Sequence, residues 1–120
     1  MRTAIVRSLH RPSDRAPILV EPGERLHLGE RDTTWPAFRL VTKRDGGEGW
    51  VPERCFQQLP GDHPDEAVMI ARYDTHEIAP PPGEEVTVLV LDEPSGWAWC
   101  RDARGAEGWL PLSVIDSPTP

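Results

Sequence analysis

Two short motifs occur twice in this chain, in the same order and at nearly the same spacing. Glu48-Gly49-Trp50-Val51-Pro52 returns 59 residues later as Glu107-Gly108-Trp109-Leu110-Pro111, and Pro22-Gly23-Glu24 returns 60 residues later as Pro82-Gly83-Glu84. Such self-similarity marks a duplication. In 120 residues it leaves room for two copies of about 60 residues and nothing larger. A copy of that size stands near the lower limit for a chain that buries its own core without a metal or a disulfide. The segment from Gln57 to Glu66 is polar and broken by Pro60, Gly61 and Pro64, a turn or linker composition. The expected layout is therefore a first copy over residues 1–59, a linker over 60–66 and a second copy over 67–116. Residues 117–120, Ser-Pro-Thr-Pro, are expected to be a disordered tail.

Within each copy the apolar pattern has a period of two. Val86 to Leu91 is β-branched and of strand length, and Arg25-Leu26-His27-Leu28 alternates at the corresponding place. Trp35 to Thr42 and Trp97 to Arg101 supply the next strands. The turn signals Asp45-Gly46-Gly47 and Asp102-Ala103-Arg104-Gly105 follow them. Fourteen prolines are spread so widely that a helix of three turns has no place to form. Short strands joined by tight turns predict an all-β chain of small barrels that protect their edges by closing.

Charge separates the two halves of the sequence. Residues 1–60 carry ten Lys/Arg and eight Asp/Glu, a net of +2, whereas residues 61–120 carry three and twelve, a net of −9. A net charge of −7 argues against nucleic acid, whose phosphates are bound by clustered Lys and Arg. The acidic half suits a basic partner, the milder first half itself, or simple solubility. No window approaches the ~20 apolar residues of a spanning helix, and Arg7 interrupts the N-terminal stretch too early for a signal peptide. A cytoplasmic chain with no membrane contact is expected.

Catalytic and metal motifs are missing. Cys55 and Cys100 belong to no Cys-x-x-Cys pair, and His10, His27, His63 and His76 are scattered without ligand spacing. No nucleophile motif or phosphate-binding glycine loop is present, so neither an enzyme nor a cofactor is expected.

Along nearly its whole length the second copy resembles a Src-homology-3 (SH3) domain. Ala71-Arg72-Tyr73-Asp74 is similar to the family's Ala-Leu-Tyr-Asp-Tyr opening, Gly83-Glu84 to its Gly-Asp/Glu, and Trp97 to the first tryptophan of its Trp-Trp pair. Gly108-Trp109-Leu110-Pro111-Leu112-Ser113-Val114-Ile115 is similar to its Gly-Tyr-Ile-Pro-Ser-Asn-Tyr-Val close. The first copy parallels it with Ala4-Ile5-Val6, Gly23-Glu24, Trp35 and Gly49-Trp50-Val51-Pro52. The resemblance implies two five-stranded SH3-like barrels in tandem, of a bacterial type. It also implies Ala71 and Cys100 in the core, Cys55 at the surface, and no disulfide between the cysteines.

Members of this family dock polyproline-conformation peptides between aromatic rings. The resemblance maps that platform onto Tyr73, Thr75, Trp97, Pro111 and Val114, and in the first copy onto Val6, Ser8, Trp35, Pro52 and Cys55. Asp74 and Glu77 take the place of the acidic residues that pair with an arginine or lysine of the ligand. The implied function is a non-catalytic adaptor that reads a protein or peptide segment, proline-rich or basic, with tandem copies able to bind bivalently. Three alternatives stand beside it: a structural tandem whose platforms are buried in an interface, a cell-wall or small-ligand binder using its tryptophans, and a nucleic-acid binder, which the charge opposes.

Overall fold

The computed structural model describes residues 2–116, and the expected disordered tail lies outside the described residues. The chain is all-β. Its strands are β1 (Arg2–Ile5), β2 (Leu19–Val20), β3 (Arg25–Arg31), β4 (Phe38–Thr42), β5 (Glu48–Pro52), β6 (Phe56–Gln58), β7 (Glu66–Met69), β8 (Tyr73–Asp74), β9 (Glu85–Asp92), β10 (Trp97–Arg101) and β11 (Glu107–Pro111). Single 3₁₀ turns at Glu53–Cys55 and Leu112–Val114 follow β5 and β11. Three sheets form, in the orders β1-β9-β10-β11, β2-β8 and β5-β4-β3-β7-β6. Among the described residues none of these ladders closes on itself into the expected barrel. The strands run from two to eight residues, and isolated bridges join Val6 with Ile115 and Glu77 with Trp109.

The compact units do not coincide with the sequence copies. Residues 15–75 form one unit, and the other combines residues up to Asp14 with those from His76 onward. The first is inserted, in chain order, into a loop of the second, which is hereafter the split unit. Strand pairing explains the division. β1, from the first copy, pairs with β9 of the second (Ala4 opposite Val86), while β7, from the second copy, pairs with β3 of the first (Ala67 opposite Leu26). Each copy thus contributes its first strand to the other copy's unit.

Both repeated motifs now have physical causes. Pro22-Gly23 and Pro82-Gly83 occupy the middle of tight turns, with Glu24 N–H donating to the Glu21 carbonyl and Glu84 N–H to that of Pro81, each at 3.2 Å. Gly23 and Gly83 both have φ +91°, which a side chain would resist, so the proline-then-glycine order of a type II turn is kept twice. In the Gly-Trp-x-Pro strands the glycines are spaces: a Cβ on Gly49 would meet Ile18 at 2.9 Å, and one on Gly108 would meet Ile78 at 2.9 Å. Val51 and Leu110 point inward and are fully buried, and Pro52 and Pro111 end the strands ahead of the 3₁₀ turns.

The split unit's core is Ala4, Val6, Ile78, Val86, Val88, Ala98, Cys100, Leu110 and Ile115. The inserted unit buries Leu26, Leu28, Phe38, Val41, Val51, Phe56 and Met69 among others. Two expectations need correction. Cys55 is fully buried in a turn tied to the segment that follows β7, with Ile70 N–H donating to the Cys55 carbonyl at 2.8 Å. Ala71 is only half-buried; the inward alanine of that segment is Ala67, set by its place opposite Leu26. Neither cysteine forms a disulfide. Among the described residues no helix is long and apolar enough to cross a membrane.

Candidate functional site

The two units share one hydrogen-bond frame, and that frame fixes which residues correspond. In the split unit Val6 N–H donates to the Glu84 carbonyl (2.9 Å), Gly83 N–H to the Val6 carbonyl (2.8 Å) and Arg7 N–H to the Val114 carbonyl (2.7 Å). In the inserted unit Met69, Gly23 and Ile70 make the same bonds to Glu24, Met69 and Cys55, at 2.9, 2.8 and 2.8 Å. Val6 therefore corresponds to Met69. Counting on four residues along the chain from each, His10 corresponds to Tyr73 and Arg11 to Asp74.

This register separates the residues expected to form one platform. Glu77, Trp97, Pro111 and Val114 belong to the split unit, whereas Tyr73 and Asp74 join Trp35 and Pro52 in the inserted one. Val6, expected on the first copy's platform, is instead a core residue of the split unit, 2% exposed.

In the split unit the aromatic next to Trp97 is His10. The rings meet edge to face, with centroids 5.4 Å apart and an interplanar angle of 81°, a favoured geometry for aromatic pairs. Trp97 opens β10 opposite Asp92 of β9 and Pro111 of β11, and its side chain is half-buried. Glu77 completes the cluster. Its Oε1 lies 2.6 Å from His10 Nε2, and the Ser13 backbone N–H donates to Oε2 at 3.3 Å. An ionised carboxylate only accepts, so Nε2 carries the proton in this contact. Glu77 is held in place from below: Trp109 N–H donates to the His76 carbonyl at 2.9 Å, and Glu77 bridges to Trp109. The carboxylate side chain remains 18% exposed, against 11% for His10.

The inserted unit is more closed at the matching positions. Tyr73 is 7% exposed and pairs with Val20, Asp74 is half-buried opposite Leu19, and Cys55 is fully buried; Pro52 is buried as Pro111 is in the split unit. Trp35 is half-buried, and its backbone N–H donates to Asp32 Oδ2 at 2.8 Å. Beside it in the chain, Arg31 pairs with Glu53 and donates to the Pro36 carbonyl at 2.6 Å.

Two carboxylates of the split unit are shifted. Burial pushes Asp102 up, but the N–H groups of Ala106 and Arg104 and the Arg104 guanidinium outweigh it and hold the carboxyl below its usual range. The Trp99 indole N–H and Arg101 lower Glu107. Burial pushes the Cys100 thiol up to about 12. Among the described residues no cluster of three or more His, Cys, Asp or Glu side chains could hold a metal ion.

The charge contrast between the sequence halves dissolves in the folded units. Residues 15–75 carry eight Lys/Arg and eleven Asp/Glu, a net of −3; the split unit carries five and nine, a net of −4. The exchanged segments even out the balance, so an acidic field confined to one unit is not what surrounds Glu77.

His10 is the residue that the sequence reading missed. Aligning the copies on Ala4 and Ala67, 63 residues apart, would have set it opposite Tyr73. No protein-family model, curated protein or solved structure matches the chain.

Proposed function

We propose that the chain is a non-catalytic binding module built from two SH3-like units, and that the split unit reads a basic, proline-containing peptide segment through His10, Glu77 and Trp97, with Val114 and Pro111 beside them. The observation that carries this reading is the cluster itself. A half-buried indole with a second ring set edge-on against it offers flat apolar surface to a proline, and a partly exposed carboxylate at its side suits an arginine or lysine. The identical strand order around both tryptophans supports the tandem form of the fold, with β1, β9, β10 and β11 matched by β7, β3, β4 and β5. An extended proline-rich ligand suits such a shallow surface because it loses little entropy on docking.

Titration of the labelled protein with proline-rich peptides bearing Arg, Lys or Glu flanks tests this. Saturable movement of the Trp97 indole and the Glu77 amide with Arg- or Lys-flanked peptides, and not with Glu-flanked ones, is the expected result. Peptides that leave both signals in place refute it.

A structural role fits the inserted unit better. Its platform positions Tyr73 and Cys55 are buried where the split unit's His10 and Val114 are half-buried, while Pro52 and Pro111 are buried alike, which leaves Trp35 as the platform aromatic with surface to offer. The Trp35 indole should then stay unmoved by the same peptides.

A further inference from the structure

β1 and β7 occupy equivalent seats. Each is an antiparallel strand with an inward alanine (Ala4, Ala67) followed two residues on by a fully or almost fully buried residue (Val6, Met69), and each makes the same three backbone bonds; β1 is the edge of its sheet, while β7 is also laddered to β6 on its far side. Backbone bonds do not discriminate between donors. We propose that the seats are exchangeable: the chain has a second closure, in which β1 pairs with β3 of its own sequence copy and β7 with β9, and passage between the two closures trades the ring and charge presented beside each tryptophan.

The chain is long enough for both. Sixteen residues separate Val6 from Gly23 and thirteen separate Met69 from Gly83, ample for a loop that returns to a neighbouring strand. In the closure described above, His10 lies against Trp97 and Arg11 follows it. In the second, Tyr73 and Asp74 take that seat, next to Glu77, and the His10-Arg11 pair moves to the unit of Trp35. The split unit's platform would then carry an aromatic hydroxyl and an additional carboxylate.

What favours the present closure is a small set of side chains. Val6 and Met69 differ in volume and each fills its seat, so exchange overpacks one seat and underfills the other. Arg25 to Glu66 (3.1 Å) and His10 to Glu77 (2.6 Å) also exist only here. Exchanging the two core residues therefore reverses the largest of these preferences.

Disulfide trapping tests the exchange without any peptide. The ligand consequence rests on the peptide-reading proposal, but the exchange does not. Thr3 now faces Thr87, so a Thr3→Cys/Thr87→Cys variant reports the present closure. His27 now faces Glu66, the counterpart of Thr3, so Thr3→Cys/His27→Cys reports the second. Each is equilibrated in a glutathione buffer and mapped by peptide mass. Both pairs are expected to close within one chain, the Thr87 pair in excess. Adding Val6→Met/Met69→Val should move the ratio toward the His27 pair by about tenfold, the scale set by relieving one overpacked side chain. The proposal is overturned if the His27 pair stays reduced while the Thr87 pair closes, both as purified and after refolding from urea. It is also overturned if the His27 pair joins two chains instead of closing one. Should the core-exchanged variant not fold, the two pairs in the otherwise native chain still decide.

Discussion

Gly108→Ala is the sharpest probe of how Glu77 is positioned. A Cβ at this position would lie 2.9 Å from Ile78 Cγ2, 3.0 Å from His76 Cδ2 and 3.0 Å from the His76 carbonyl oxygen. Ordinary carbon contacts lie at about 3.5–4.0 Å, so all three are overlaps. The carbonyl cannot rotate away, because it accepts the Trp109 N–H at 2.9 Å. The arm bearing Glu77 must lift from β11. Overpacking of this kind costs about 1–3 kcal/mol. Gly108 does not use a positive φ, so alanine recovers about 0.4–1 kcal/mol by restricting the unfolded chain. The expected net loss is about 1–2 kcal/mol, a roughly 5–30-fold fall in the folded-to-unfolded ratio. Gly49→Ala is the control: its Cβ meets Ile18 Cγ1 at 2.9 Å, Ile18 Cδ1 at 3.0 Å and Thr75 Cγ2 at 3.2 Å, all side-chain atoms that can shift. Its loss should be about 1 kcal/mol or less by the same comparison. Urea unfolding followed by tryptophan fluorescence gives both values, and an amide spectrum reports whether His10, Ser13 and Glu77 move in Gly108→Ala alone. A Gly108→Ala protein as stable as the parent, or less destabilised than Gly49→Ala, refutes the packing account.

Asp102→Asn should cost about 1–2 kcal/mol at neutral pH, because the carboxylate accepts from two backbone N–H groups and from Arg104. Asp102 is held below its unfolded value, so its contribution is complete above about pH 4 and disappears as pH falls through the folded value; the variant should show a flatter stability profile in that acid window, and an unchanged profile contradicts the assignment. With Cys100 pushed up to about 12 and Cys55 fully buried, a thiolate-selective alkylating reagent at pH 8 should add nothing to the native protein and two groups to the unfolded one; a rapid native adduct, read by mass spectrometry, would contradict both burials. Glu77→Gln should weaken an Arg-flanked peptide about tenfold, the scale of one charge-assisted contact, and unchanged affinity by calorimetry removes Glu77 from the site.

Much of the architecture was legible because it rests on local chemistry. The positive φ of Gly23 and Gly83 and the crowding at Gly49 and Gly108 favour glycine at all four places, so the duplication and the strand-turn rhythm stand out in the sequence. Leu26, Leu28, Val86 and Val88 alternate as a half-buried sheet requires, and all four are buried. Partnership was not legible. β1 and β7 present the same inward pattern and the same backbone groups, so their residues alone do not say which of two similar neighbours each will choose. From that one ambiguity came the other differences: domain limits at 59 and 67 instead of 15 and 75, a contrast of +2 and −9 that becomes −4 and −3, and a platform mapped onto Val6 in place of His10. A four-residue slip between Ala67 and Ala71, two alanines in similar contexts, produced the last of these.

Synthesis from the N-terminus meets the exchanged strands in an awkward order. β1 leaves the ribosome ahead of β3, β7 and β9, and Ile5 must wait for Glu85, eighty residues later, before its ladder on β9 can begin. At ~5–20 residues per second that delay is of the order of seconds, long compared with the microseconds in which a hairpin forms. From the completion of β3 at Arg31 until β7 begins at Glu66, β3 is available and β7 is not, so the newborn chain has β1 and an empty matching seat in hand at once. The finished fold requires β1 to leave that seat, or never to take it, and the time needed for this choice should be written into the refolding kinetics of the full chain.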